Sequence, residues 1–173
     1  MDELKIDRIL DKIKENEEPQ NNIHAIEEEK VKLVIFTLDR TLYAFNGSDI
    51  KEILNYMDIT YVPGAPNFIL GIINLRGSVE SVIDIRSFLN MPKAELMKNS
   101  KIAIAVNKNI HSGIIVDSIA DVADVPKSSI KPVSYALDNN IKEYVFGETI
   151  YKGKSVIIIS LDKIFDAFSI INQ

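Results

Sequence analysis

Apolar residues recur along this chain in two different rhythms. Near the N-terminus Ile6, Ile9, Leu10 and Ile13 fall at i, i+3, i+4 and i+7, one stripe of an α-helix with Lys, Glu and Asp elsewhere. Glu17-Glu-Pro-Gln-Asn-Asn22 ends that stretch, because Pro19 cannot continue a helix and biases the residue before it toward extended geometry. Residues 1–30 are thus an arm, partly helical. Most apolar stripes serve the parent core, so the arm helix is read as packing on its own domain rather than as a docking helix for a partner.

From Val31 the rhythm shortens to β-rich runs broken by turn residues. Val31 to Leu38 and Thr41 to Phe45 flank Asp39-Arg40 as a hairpin. Ile50, Ile53, Leu54 and Met57 carry a helical spacing that predicts one or two turns before Thr60 to Val62, and Pro63-Gly-Ala-Pro66 forbids regular structure. Phe68 to Asn74 and Val79 to Ile85 are strands meeting around Arg76-Gly77-Ser78. Lys101 to Val106, Gly113 to Asp117, Asp121 to Val125, Val145 to Tyr151 and Ser155 to Ser160 follow as strands. Leu161, Ile164, Phe165, Phe168 and Ile171 close the chain as an amphipathic helix that Ser160 is placed to cap.

The sequence also echoes itself. Gly71-Ile-Ile-Asn-Leu-Arg-Gly-Ser-Val through Leu89 matches Gly147-Glu-Thr-Ile-Tyr-Lys-Gly-Lys-Ser through Phe165: a strand, a basic-Gly turn, a return strand and a helical segment, with Gly77 on Gly153. Leu33 to Phe45 matches Ile102 to Val116 more loosely. Two copies of a small β unit are expected, each closed into a barrel because closure removes unpaired strand edges. The prediction is an all-β protein of two packed barrels.

Composition narrows the function. At 173 residues, 46% hydrophobic and 26% charged, the chain can bury a real core as one domain or two small ones. It has no cysteine, which removes disulfides, thiolate nucleophiles and sulfur-ligated zinc and fits a reducing compartment. The opening Met1-Asp-Glu-Leu-Lys-Ile is acidic and no apolar run reaches bilayer length, so the expected location is cytoplasmic. Asn46-Gly-Ser48 has the glycosylation spacing but reads as a turn. Residues 1–30 hold 5 Lys/Arg and 10 Asp/Glu of totals of 20 and 25, leaving 15 and 15 for the remainder. With no basic face, neither nucleic acid nor direct membrane insertion is expected.

Catalytic chemistry is hard to assemble. Tyr151-Lys-Gly-Lys-Ser155 after Gly147 is one residue too long for a phosphate loop and lies in a strand-turn-strand context. His24 and His111 share no metal-ligand spacing, and no serine sits in a nucleophile elbow. Asp117, Asp121 and Asp124 lack the alternating ligands of a calcium loop and read as a solvated face. Glu80 and Asp84 are two acids on a hairpin and carry little signal for glycoside chemistry. No catalytic residue, metal or cofactor is assigned.

What stands out is Val62-Pro-Gly-Ala-Pro-Asn-Phe-Ile-Leu-Gly-Ile-Ile-Asn-Leu-Arg-Gly77, an apolar run that ends with a guanidinium between Leu75 and Gly77. Arg76 can fork two hydrogen bonds, which lysine cannot reproduce. Its partner is either Asp84 or Glu80 on the return strand or a group on another protein. Together with Ile50-x-x-Ile53, Val79-x-x-Val82-Ile-Asp84, Ala103-Ile-Ala-Val106, Gly113-Ile-Ile-Val-Asp117 and Ile130-Lys-Pro132, this run closely resembles the CheW family of chemotaxis coupling proteins over residues 31–168.

The resemblance implies a CheW-like fold over 31–173, two intertwined five-stranded SH3-like barrels. It further implies a non-catalytic adaptor that joins the histidine kinase CheA, through its regulatory domain, to the tip of methyl-accepting receptors. By the same likeness, Ile50, Ile53, Ile102, Ile104, Gly113, Ile119 and Val122 are the receptor-groove residues, and Asn74, Leu75, Arg76 and Gly77 form the turn tied to assembly. A scaffold for a different membrane-linked signalling kinase is the alternative. The chain departs from the family pattern at Ser81, where a proline is usual, with Glu80 before it. The restored N–H frees that strand to pair differently at its start.

Overall fold

A computed structural model describes residues 27–93 and 95–171. The arm helix predicted at Ile6 to Ile13, its Pro19 terminator and His24 lie outside the described residues.

Among the described residues ten strands follow in order: β1 (Lys30–Leu38), β2 (Thr41–Asn46), β3 (Ile50–Asn55), β4 (Ile69–Leu75), β5 (Ser78–Ile83), β6 (Lys101–Asn107), β7 (Ile110–Val116), β8 (Ser118–Pro126), β9 (Val145–Tyr151) and β10 (Lys154–Ile159). A one-turn helix α1 (Asn139–Lys142) precedes β9, and α2 (Leu161–Ile171) follows β10. No helix among the described residues is long and apolar enough to cross a membrane.

The hairpins form where turn chemistry permits. Asp39-Arg40, Arg76-Gly77 and Lys152-Gly153 each place two residues at positive φ, the geometry whose twist matches paired strands. No described residue lies within 4 Å of where a Cβ would stand on Gly77 or Gly153, so these glycines serve the left-handed backbone rather than close packing. Asn46 caps a 3-10 turn at Gly47–Asp49, which accounts for the sequon-like spacing. The stretch expected to be helical at Ile50 to Met57 begins as strand β3 instead. A bulge between Ile50 and Glu52 puts Ile50 and Ile53, three apart, on one face, so a strand acquires the spacing of a helix.

The strands form two five-stranded sheets of one topology. The first runs β8-β1-β2-β10-β9 and the second β3-β6-β7-β5-β4. The echo in the sequence is therefore interleaved, with each sheet taking a hairpin from one copy (β1-β2 or β6-β7) and three strands from the other. In each, the second hairpin strand pairs in parallel with a later one, β2 with β10 and β7 with β5.

Two single bridges close the sheets at matching points. Thr60, beyond β3, exchanges both backbone hydrogen bonds with Ile72 of β4 at 2.9 Å, and Lys131, beyond β8, does the same with Glu148 of β9 at 2.8–2.9 Å. The chain leaving one sheet edge is thus tied to the opposite edge, which makes each sheet a small barrel. The neighbouring glycines allow the contact: a Cβ on Gly71 would stand 2.2 Å from the Thr60 carbonyl oxygen, and one on Gly147 2.7 Å from that of Lys131.

Each barrel has its own core, Leu33, Ile35, Ala44, Val125, Val156 and Ile158 in the first and Ile73, Val82, Ile102, Ile104 and Ile115 in the second. A larger shared core joins them, with Phe36, Leu38 and Phe45 from the first sheet meeting Ile83, Ala103, Ala105 and Ile114 from the second. Helix α2 seals it with Leu161, Ile164 and Phe165, and Phe168 stacks on Phe68 at 4.6 Å. The Ser160 carbonyl accepts the Ile164 N–H at the start of this helix.

Candidate interaction surface

Arg76 finds its partner inside the chain, and it is neither residue expected. Its Nη2 donates to the Glu52 carboxylate on β3, forming an ion pair. Asp84 turns inward, where its Oδ1 accepts from the Arg86 N–H at 3.0 Å and from Arg86 Nη1 at 3.1 Å, and Glu80 lies opposite Ile73 in the β4-β5 ladder. Barrel closure explains the choice. The Thr60–Ile72 bridge draws the continuation of β3 along β4, so the tip of the β4-β5 hairpin meets β3. The Asn74 side chain accepts the Gly77 N–H at 3.0 Å and locks the turn.

The other barrel repeats the device. Lys152, which matches Arg76, pairs with Asp121 on β8 at 3.4 Å, and the Tyr151 hydroxyl donates to the same carboxylate. Glu52 stands opposite Ile104 and Asp121 opposite Ile35, so both acids occupy the same position on equivalent edge strands. Tyr151, the Val122 N–H and Lys152 together hold the Asp121 carboxyl below the usual carboxylate range, and Tyr151 and then Asp121 raise the Lys152 ammonium.

The apolar candidates divide by face. Ile102 and Ile104 are buried among Ile73, Val82 and Ile115, and Gly113 packs so closely that a Cβ would meet Ile102 Cγ2 at 2.7 Å. These three are core, and a partner cannot reach them in this fold. Ile50 and Ile119 are half-buried against the shared core, whereas Ile53 is 37% and Val122 48% exposed. The register shows that the remaining four form two equivalent pairs: Ile50 and Ile53 oppose Ala105 and Ala103, while Ile119 and Val122 oppose Phe36 and Val34. Each pair straddles a bulge and lies on the side its sheet turns toward the other.

Sequence reasoning missed the one buried ionic cluster among the described residues. Arg86 is 2% exposed and binds Asp84 and Asp117, and the second Asp117 oxygen accepts the Asp39 N–H at 2.8 Å. Asp117, Asp121 and Asp124, expected as a solvated face, each have a partner, Asp124 pairing with Lys32 at 3.1 Å. The available signal for Arg86 was its position two residues past Asp84 at the end of an apolar strand, where a charge is too costly to bury alone. His111 lies exposed on β7, and no group of His, Asp or Glu among the described residues could hold a metal. Ser81 pairs regularly with Ile72 and Ser112, and its hydroxyl bonds that of Ser112 at 2.9 Å, so the missing proline leaves the ladder intact.

Comparison with known proteins places this architecture. A family model described as a CheW-like domain matches residues 32–169. The chain is 38% identical over 100 residues to the chemotaxis protein CheW of Bacillus subtilis (strain 168), a match covering 58% of this chain and 64% of that protein, less than two thirds of its length. It is 28% identical over 134 residues to the chemotaxis protein CheW of Rhizobium meliloti (strain 1021), covering 78% of this chain and 86% of the relative. Its structure is similar to the crystal structure of the scaffolding protein TtCheW from Thermoanaerobacter tengcongensis, with a TM-score of 0.69 and 33% identity over 77% of this chain and 90% of that one.

Proposed function

This chain belongs to the CheW-like domain family, and from that premise we propose that it is a non-catalytic chemotaxis adaptor which couples methyl-accepting receptors to the histidine kinase CheA. It works on the cytoplasmic side of the membrane and reaches the membrane only through its partners. The observation that carries the reading is the duplicated edge. Ile53 and Val122, each beside a half-buried isoleucine, expose aliphatic surface from matching positions on two edge strands, beside turns fixed by Arg76–Glu52 and Lys152–Asp121. Aliphatic anchors spaced along two edges suit the apolar face of a helical hairpin. Ordered turns at the barrel mouths suit a partner of like build, as the regulatory domain of the kinase would be.

Arg76 carries two duties in this scheme. One part of the guanidinium orients the turn through Glu52, and the rest, on a side chain 67% exposed, is free for a partner carboxylate or a helix-end carbonyl. Arg76→Glu sets two acids against each other and turns the exposed charge negative.

Co-sedimentation with receptor-containing membranes and kinase tests the scheme. The double variant Ile53→Asp with Val122→Asp is expected to weaken receptor association at least about tenfold while kinase association persists. Arg76→Glu is expected to lose kinase association in the assembled complex. If folded variants sediment like the parent, the assignment of these edges is wrong. A pull-down against the CheA regulatory domain separates this reading from a scaffold for another membrane-linked kinase, which would leave that domain unbound.

A further inference from the structure

One groove at the mouth of the first barrel has no part in the surface above. Val31, Ile130, Phe146 and Leu161 line it together with Asp49 and Asp162, and it encloses about 180 Å³. Phe146 is 69% exposed, an aromatic ring left in water beside other apolar side chains. Among the described residues, the two aspartates are the only charged ones in the lining. Burial, and then the facing charge of Asp162, push the Asp49 carboxyl up from its ordinary range. The fitting occupant is apolar along one side and positively charged beside it.

The chain carries such a segment close by. Residues 5–14, Lys-Ile-Asp-Arg-Ile-Leu-Asp-Lys-Ile-Lys, hold four Lys/Arg against two Asp around the Ile6, Ile9, Leu10 and Ile13 stripe, whereas residues 15–29 hold six Glu and no Lys or Arg. The base of the arm is pinned at the groove rim. The Glu29 carbonyl accepts the Lys127 N–H at 2.8 Å, its carboxylate takes the Lys127 ammonium at 3.0 Å, and Glu28 accepts the Ser128 hydroxyl. From there Val31 lies two residues on, and Ile130 directly follows the pinned turn. Residues 15–26 extend at most to roughly 40 Å, ample for a return. A tether of this length holds the segment near its site at an effective concentration on the order of millimolar, which a free partner helix does not match.

We propose that residues 5–14 fold back as an amphipathic helix into this groove, setting the isoleucine stripe on Val31, Ile130 and Phe146 and the flanking Lys and Arg beside Asp49 and Asp162. The docking is independent of the adaptor role: it can hold or fail whatever the edges around Ile53 and Val122 bind.

The chain has no cysteine, so Lys14→Cys gives a unique attachment point for a nitroxide in the 173-residue chain. With the label oxidised, the amides of Ile130, Phe146 and Gly147 are expected to lose most of the intensity they show with it reduced in ¹⁵N spectra, to an extent independent of protein concentration. In the combined variant Ile6→Asp, Ile9→Asp and Ile13→Asp the intensity is expected to return, and that variant leaves the barrels untouched. Phe146→Ser is expected to release the arm as well. Unattenuated amides at the groove would overturn the proposal. So would attenuation that requires label and isotope on different molecules, which assigns the groove to a second copy. The same holds if a receptor-tip hairpin shifts these amides while the labelled arm does not.

Discussion

Arg76 and Lys152 cap the two barrel mouths from the same turn position, but the segments behind them are finished in opposite ways. Behind the Arg76 hairpin, β5 runs into a 3-10 turn whose Arg86 is buried between Asp84 and Asp117. Behind the Lys152 hairpin, β10 runs into α2, which closes the shared core with Leu161, Ile164 and Phe165. Hydrocarbon stabilises with little demand on geometry. A buried ion cluster gives up solvation and returns a fixed arrangement only if every charge is met. Here Asp117 lies between β7 of the second sheet and β8 of the first and also holds the β1-β2 turn through the Asp39 N–H, so Arg86 ties the barrels together. One half of the repeat supplies adhesion and the other supplies registration.

The largest effect is expected where that difference is sharpest. Arg86→Met removes the guanidinium and leaves Asp84 buried without its cation, a loss of about 3–5 kcal/mol by comparison with other broken buried pairs. Asp162, at the matching position of the other half, accepts only the Asn107 amide among the described residues, at an exposed site, and Asp162→Ala is expected to cost no more than about 1 kcal/mol. Urea unfolding of the two variants decides the matter. Equal losses would mean that the halves do not divide the labour as described.

The closure glycines come next. Gly71 combines a Cβ clash at 2.2 Å against backbone with a φ of 151°, a region open to glycine, whereas Gly147 faces the Lys131 carbonyl at 2.7 Å without an unusual φ. Overpacking alone costs about 1–3 kcal/mol. Gly71→Ala should therefore sit at or above the top of that range and Gly147→Ala within it, as read from thermal midpoints at matched concentration. Amide exchange should place the opening at the Thr60–Ile72 bridge in the first variant and at the Lys131–Glu148 bridge in the second. Were Gly147→Ala the more damaging, the second barrel would not depend on its bridge as claimed.

How much of this was visible in the sequence depended on the range of the forces involved. Turn chemistry is local, so the hairpins at Asp39, Arg76 and Lys152 and the echo of Gly77 in Gly153 could be read directly, as could α2 from its stripe. β3 could not, because its bulge imitates a helical period, and β8 carries the same three-residue step from Ile119 to Val122. The partner of Arg76 lies 24 residues back and comes within reach only through barrel closure, which no local pattern encodes. The echo revealed two copies but not that each barrel is assembled from both. Ile102 and Ile104 illustrate a last difficulty: along a strand one position separates core from surface, and a motif likeness does not say which face is wet.

The finest contrast is between two carboxylates that answer acid in opposite directions. Asp121 is held below its ordinary range first by the Tyr151 hydroxyl, then by the Val122 N–H and Lys152, so its folded value lies below the unfolded one. Its contribution to stability is present above the ordinary carboxylate range and is lost as pH falls through the folded value. Asp49 is raised, first by burial and then by Asp162, so its charge opposes folding above the raised value and ceases to do so below the ordinary one. Hence Asp121→Asn should lower stability at neutral pH, and Asp49→Asn should increase it, with both differences shrinking on acidification. The measurement is made on the chain with Ile6, Ile9 and Ile13 replaced by Asp, the variant expected to lose the proposed docking. If residues 5–14 dock as proposed, a Lys or Arg beside Asp49 in the unaltered chain offsets the repulsion, and the gain from Asp49→Asn should diminish or vanish. A gain of the same size in both backgrounds would leave the two ends of the molecule electrostatically unconnected to the arm.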